Sequence, residues 1–260
     1  MRVRILGAHN FETRDSRMAS ILIDGVVALD AGSLTASLTM PEQEGITSVL
    51  LTHRHFDHVR DVSNLGLNTL HAGTTTVYGL EETLQAISTH ILGGVFYSDL
   101  TQRPSPEAPS LRFVPITVGQ PFSVDGYQVL ALLMNHSMPT VGYQVRAADG
   151  RALFYGGDTG VGLTEVWQRI QPDLLILECT MSNRQEAEAR QALHLCPSML
   201  QEELVSFQKL KGYLPPVLVV HLNPVIEDEI RQELALVSQA LGHSLTPAQE
   251  GMVITLEGAD

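Results

Sequence analysis

Residues 53–58 read His-Arg-His-Phe-Asp-His, three imidazoles and a carboxylate within six positions, directly after the apolar run Ser48-Val49-Leu50-Leu51. That run has the length of a short buried strand. A lone histidine at a strand end is ordinarily a solvated loop residue. Four ligand-type side chains packed together are hard to satisfy without a metal, and imidazole with carboxylate suits zinc, or iron and manganese. If the strand ends at Leu51, His53 and His55 project to the same side by the two-residue period of extended chain, so both can reach one ion. Asp57 and His58 follow as the chain turns, within range of a second ion.

Composition sets the outer bounds. A chain of 260 residues fits one large domain or two small ones, and 44% hydrophobic with 17% charged residues is ordinary for a soluble globular protein. No apolar run approaches the ~20 residues of a membrane span. The start, Met1-Arg2-Val3-Arg4-Ile5-Leu6-Gly7, lacks a signal-peptide core and cleavage site, so a cytoplasmic protein with no membrane partner is expected. Cys179 and Cys196 give no disulfide framework and read as small buried apolar residues. Sixteen basic against 29 acidic side chains leave a net charge of −13. Such a field repels a polyphosphate backbone and argues against broad nucleic-acid binding, so a phosphate-bearing substrate should be small.

Along the chain, Arg2 to Leu6 reads as a strand. Ile21-Leu22-Ile23 and Val26-Val27-Ala28-Leu29 flank the hairpin signal Asp24-Gly25 and lead to Asp30-Ala31-Gly32. Asp61 can cap a short helix through Leu67. Val77, Leu80, Leu84 and Ile87 have helical spacing, which predicts an amphipathic helix over Thr74 to Thr89. His90 to Ser110, broken by glycines and prolines, reads as irregular, a lid or substrate loop. Strands follow at Leu111–Ile116, Phe122–Val124, Tyr127–Met134, Val141–Val145 and Arg151–Tyr155, with turns at Asp125-Gly126 and Asp149-Gly150. Then come a helix from Thr164 to Ile170, a strand from Leu174 to Leu177, a helix from Pro197 ending at Gly212, and a strand from Val217 to Val220. A helix opening at Pro224 and a last strand, Met252–Leu256, close the chain.

The H-x-H-x-D-H pattern resembles the signature of the metallo-β-lactamase-fold hydrolases, in which Asp-x-Gly after a hairpin is the usual prelude to the histidine-rich strand. Composition alone leaves a doubly wound α/β fold equally open. The resemblance implies a four-layer αββα sandwich, two mixed β-sheets with helices on the outer faces, as one domain over residues 1–260. Three later residues, each at an apparent strand end, complete the family's motifs: His136, Asp158 and His221. By that resemblance His53, His55 and His136 hold one ion, Asp57, His58 and His221 the other, and Asp158 bridges them. Two zinc ions, or manganese or iron, would there hold an attacking hydroxide between them. Thr52, Asn135 and Glu178 could orient the imidazoles, but each also reads as a local backbone-capping group.

His194, in Leu193-His194-Leu195-Cys196-Pro197, resembles the His-Leu-Ser/Thr-Pro element of the ribonuclease Z and class II cyclic-nucleotide phosphodiesterase branch, with Cys196 in place of the hydroxyl residue. In that branch the histidine assists phosphodiester cleavage, which suits a general acid. His221-Leu222-Asn223-Pro224 resembles the branch's His-x-Lys-Pro, with Asn223 departing from lysine, and the glycine common after the histidine cluster is absent at Arg60-Asp61. What the resemblance implies is a dinuclear metal-dependent hydrolase of a small or cyclic nucleotide-type phosphodiester, with Asp57 and His194 as catalytic residues, and it is compatible with a homodimer. The alternatives are a ribonuclease Z-like tRNA 3′-processing endonuclease, against which stand the acidic balance and the lack of a basic inserted arm, and a non-catalytic metal-dependent sensor. Arg54 either touches a substrate phosphate or pairs with an aspartate such as Asp61. His9, His71, His90 and His243 lack ligand company, and Trp167 reads as core.

Overall fold

Hairpin chemistry starts both halves of the molecule. The computed structural model describes residues 1–257. Asp24 and Gly25 take φ of 48° and 78°, Asp125 and Gly126 φ of 47° and 86°, the left-handed pairs that a two-residue turn needs if its strands are to keep their natural twist. The strands are β1 (Arg2–Gly7), β2 (Ser20–Ile23), β3 (Val27–Leu29), β4 (Ser48–Leu50), β5 (Thr75–Gly79) and β6 (Leu111–Pro115). They continue with β7 (Pro121–Val124), β8 (Tyr127–Leu133), β9 (Val141–Arg146), β10 (Ala152–Tyr155), β11 (Leu174–Glu178), β12 (Val217–Val220), β13 (Leu245–Pro247) and β14 (Val253–Thr255).

One sheet runs β14-β1-β2-β3-β4-β5-β6 and the other β13-β12-β11-β10-β9-β8-β7. In each, antiparallel hairpins come first and parallel strands follow: β3, β4, β5 and β6 are parallel neighbours in one sheet, β10, β11, β12 and β13 in the other. The helices are α1 (Met40–Glu44), α2 (Phe56–Val59), α3 (Asp61–Asn68), α4 (Glu81–His90), α5 (Thr164–Arg169), α6 (Glu186–Ala192), α7 (Pro197–Lys211) and α8 (Glu227–Leu241).

Three apolar clusters fill the spaces between layers. Ile5, Ile21, Leu29 and Leu50 meet Val129, Tyr143, Leu153 and Ile176 between the sheets. Val49, Leu51 and Val77 pack on Val62, Leu65, Leu84 and Ile87 beneath α3 and α4. Leu175, Leu177 and Val219 pack on Trp167, Leu200, Leu204, Phe207 and Leu234 beneath α5, α7 and α8. Two sheets face to face with helices outside are the four-layer αββα architecture. Cys179 and Cys196 are free and buried in the last cluster, beside the equally buried Trp167. Among the described residues no helix is long and apolar enough to cross a membrane.

Several local expectations are corrected. The span Thr74 to Thr89 is not one helix: its first part is β5, hydrogen-bonded on both sides, and α4 starts at Glu81. Thr75, Thr76 and Val77 are β-branched, and a central position in a parallel sheet outweighs the helical spacing of Val77 and Leu80. The last helix begins at Glu227 rather than at Pro224. Asp61 lies in the first turn of α3 rather than capping it, and its carboxylate takes the Thr35 N–H and hydroxyl, both at 2.8 Å. α1, α2, α6 and β13 were not foreseen; all are short, and short elements carry little periodicity.

Candidate metal centre

Four strand ends from both sheets deliver the side chains. β4 ends at Leu50, and the segment after it carries His53 and His55 before α2 presents Asp57 and His58. β8, β10 and β12 lead to His136, Asp158 and His221. His55 Nδ1 lies 2.9 Å from His53 Nε2 and 3.3 Å from His136 Nε2. Asp158 Oδ2 faces this group, 3.6 Å from His53 Nε2 and 3.9 Å from His136 Nε2. Its other oxygen faces a second group: Oδ1 is 3.2 Å from His58 Nε2 and 3.3 Å from His221 Nε2. Asp57 Oδ2 completes that group, 3.1 Å from His221 Nε2 and 3.6 Å from His58 Nε2. Donors here fall in sets spaced to hold a metal ion: His53, His55, His136 and Asp158; Asp57, His58 and His221; and Asp158, Glu178, His194 and His221.

The hydrogen bonds behind the rings show that the donors suit a cation. Asp30 sits on His58 Nδ1 at 2.7 Å, which fixes the proton there and leaves Nε2 as a lone pair in the neutral ring. Thr180 donates its hydroxyl to Glu178 at 2.6 Å, so its oxygen accepts from His221 Nδ1 at 2.8 Å and His221 Nε2 is bare as well. The same logic holds at the first group. Thr52 donates to Asp30 at 2.9 Å and accepts from His53 Nδ1 at 3.0 Å, while His136 Nδ1 donates to the Leu193 carbonyl at 3.2 Å. Bare nitrogens therefore converge on carboxylate oxygens, and Asp158 Oδ1 is buried without a hydrogen-bond donor. Such a cage of acceptors calls for positive charge. His58, although fully buried, is held well above its ordinary pKa by Asp158 and Asp30. His53 is driven well below by its burial and by neighbouring His58.

Beside both groups stands His194. Its ring stacks on His221 with centroids 5.5 Å apart and meets His136 edge-on at 5.0 Å. Nδ1 lies 2.7 Å from Glu178 Oε1. Burial works against the cation, yet the Glu178 carboxylate prevails and pushes His194 up to about 9. Leu193, just before it, and His221 itself adopt φ of 58° and 59°, a left-handed strain that proteins keep where side chains must be aimed. Two glycines make room: a Cβ at Gly32 would lie 1.9 Å from the Asp57 carbonyl oxygen, and one at Gly157 2.8 Å from the Thr52 methyl.

A family model described as a beta-lactamase superfamily domain matches residues 19–221, a span that ends on the last histidine of the centre. The chain belongs to the β-lactamase superfamily. Solved structures agree on the superfamily fold. The metallo-β-lactamase fold protein YhfI from Bacillus subtilis superposes with a TM-score of 0.77 at 19% identity, over 98% of this chain and 99% of the other. Yeast PDE1 gives 0.82 at 16% identity, over 98% and 99%. The short form of human tRNase Z gives 0.69 at 21% identity, over 99% and 100%. Among curated proteins none matches the chain in sequence.

Every residue anticipated for the centre, His53, His55, Asp57, His58, His136, Asp158, His194 and His221, is brought to one place in this superfamily member. Sequence reasoning gave too little weight to Thr52, which bonds the His53 ring, and to Glu178, which holds His194 as well as accepting the backbone N–H groups of Thr159 and Leu195. Asn135 does the reverse, donating to the Val161 carbonyl at 2.7 Å. Asp30 and Thr180 were not foreseen as orienting groups. The Asp-x-Gly prelude was the available signal for Asp30, whereas nothing in the sequence singles out Thr180. Arg60, not Arg54, pairs with Asp61, at 3.1 Å; among the described residues Arg54 forms no ion pair. His9 joins none of these ligand sets; it is clasped between Glu250 at 2.6 Å and Glu227 at 3.1 Å.

Proposed function

We propose that the chain is a dinuclear metal-dependent hydrolase of phosphodiesters, acting on a small or cyclic nucleotide-type substrate. His53, His55 and His136 would hold one ion, Asp57, His58 and His221 the second, and Asp158 would give an oxygen to each. Zinc suits this donor set, with manganese or iron as alternatives. When bound, two such ions supply Lewis acidity and a water of lowered pKa. A cytoplasmic location and a single domain over residues 1–260 belong to the same proposal.

The observation that carries the reading is the Glu178–His194 pair stacked on His221. Glu178 fixes Nδ1 of His194, so its Nε2 is left to deliver a proton to the leaving alkoxide or to bond a phosphoryl oxygen. An enzyme expelling an alkoxide needs such a donor. Asp57 presents its carboxylate at the same opening, beside His221. The neighbours lend support, since tRNase Z and a PhnP-family diphosphatase of similar fold are named for work on phosphate groups. A tRNA 3′-end reading draws on the likeness to human tRNase Z, but the net charge of −13 opposes a long polyanion.

Metal analysis with turnover of bis(p-nitrophenyl) phosphate tests the proposal. His194→Ala should lower kcat by about 10²–10⁴ with metal content intact, the range expected for general acid catalysis. No metal after reconstitution, or undiminished turnover by Asp158→Ala, would sink it. A bound metal pair without turnover of any diester would favour the sensor reading. A panel of cyclic nucleotides, small diesters and 3′-extended pre-tRNA separates the substrates.

A further inference from the structure

Next to the histidine cluster lies a cavity of about 350 Å³ that the metal centre does not use. Phe56, Arg60 and Asn64 of the α2–α3 segment form one wall, and Ile91, Phe96 and Tyr97, just past α4, form the other. Phe56 stands in the chain between His55 and Asp57. The Arg60 N–H donates to its carbonyl at 2.9 Å, so Phe56 and Arg60 share a helical face, while Asp57 turns toward His221. The cavity is thus tied to the centre through Phe56, flanked in the chain by His55 and Asp57, while none of the residues of the centre lines it.

Two of its rings are left in water, Phe56 63% exposed and Phe96 79% exposed. Large apolar side chains at the mouth of a concave site mark a place for a ligand. All but one of the polar side chains of the lining are already engaged. Arg60 pairs with Asp61 at 3.1 Å and Glu12 at 2.8 Å. Asn64 donates to Asp61 at 2.9 Å and accepts from the Tyr97 hydroxyl at 2.7 Å. The Ser63 hydroxyl donates to the Arg60 carbonyl at 3.3 Å. Among the described residues, His90 is the lining side chain whose polar atoms have no protein partner. A phosphate therefore meets no uncommitted arginine or lysine in the cavity, whereas an aromatic ring finds faces to stack on.

We infer that this cavity receives the aromatic ring of an aryl or nucleoside phosphoester while the phosphate lies at the histidine cluster. The inference rests on the phosphodiester reading and narrows its substrate class. Its volume sits at the lower end of ligand pockets, room for one ring system and not for a folded RNA. With its hydrogen-bonding groups other than His90 engaged, the cavity reads ring size and planarity and discriminates little between base edges. Phosphoesters without a ring are poor substrates.

The test uses 1-naphthyl phosphate, whose fluorescence change on mixing with the metal-loaded protein reports binding before any release of naphthol. The double variant Phe56→Ala/Phe96→Ala truncates exposed rings, and its metal content checks that the centre is intact. Its Kd for 1-naphthyl phosphate should rise about tenfold, roughly 1.4 kcal/mol, and the KM for bis(p-nitrophenyl) phosphate should rise with it. Competition by dimethyl phosphate, which has no ring, should be equal in both proteins. Unchanged naphthyl phosphate affinity overturns the assignment even where the diester is hydrolysed, and leaves the phosphodiester reading standing. A parallel loss for dimethyl phosphate overturns it too, by placing the effect at the phosphate. Ring-dependent binding without hydrolysis of any diester supports the cavity and defeats the reaction.

Discussion

Thr180 shows how far a single hydroxyl reaches in this centre. It donates to Glu178 and accepts from His221, while the other oxygen of Glu178 holds His194. One buried carboxylate thereby sets the tautomer of a ligand-type imidazole and the position of the proposed acid. Replacing Thr180 by Val removes the acceptor behind His221 and frees that ring to place its proton on Nε2, against the ion. We expect metal affinity to fall by about 10–100-fold, the usual effect of losing an outer partner of a ligating histidine, as measured by competition with a chromogenic chelator. Unchanged affinity would show that His221 needs no such support. His53 to His58 were legible because the ligand types are adjacent in the chain. Thr180 was not, because a threonine two residues after a strand is unremarkable until the fold sets it against His221, 41 residues later.

Elements carry a different kind of information. β5 and α4 share an apolar pattern that reads as one helix. What separates them is that β5 completes two parallel ladders, an interaction with chain far away on both sides. The segment after β1 is fastened similarly. Its bridge to Leu222 brings His9 between Glu250 and Glu227, the latter on α8. Burial disfavours charge on His9, but Glu250 and then Glu227 hold its pKa above the ordinary value of 6.5. A histidine so raised contributes stability that is complete below pH 6.5 and is lost as pH climbs through its folded value. Glu250 is lowered despite its burial, chiefly by its bond to His9, so its share is present above 4.5 and is lost on acidification. His9→Gln should therefore lower Tm by roughly 2–4 °C at pH 6, the effect of about 1 kcal/mol, and the gap to the parent should close toward pH 9. Thermal unfolding of both proteins at equal metal loading measures it; a gap that is constant with pH would refute the charged clasp.

In the whole molecule the centre lies where the two sheets meet. His53, His55, Asp57 and His58 follow a strand of one sheet, and His136, Asp158 and His221 follow strands of the other. Ions held there would tie the halves together, so on the proposed reading chelation should destabilise the fold itself. At free metal a thousandfold above Kd the stabilisation is about 4 kcal/mol, which corresponds to a fall in Tm on the order of 10 °C when a chelator strips the metal. Calorimetry with and without chelator reads this, and an unchanged Tm would argue against sheet-spanning ligation. The sequence by itself determined the ligand types and their grouping, the hairpins and the strands that lead into the centre, because these rest on residue chemistry and on contacts within a few residues. Only the tertiary structure decided that β5 is a strand, that Glu178 serves both His194 and Thr180, and that a cavity lined with aromatic rings opens beside the histidines. Each depends on groups tens of residues apart, whose meeting follows from how two sheets and their helices pack.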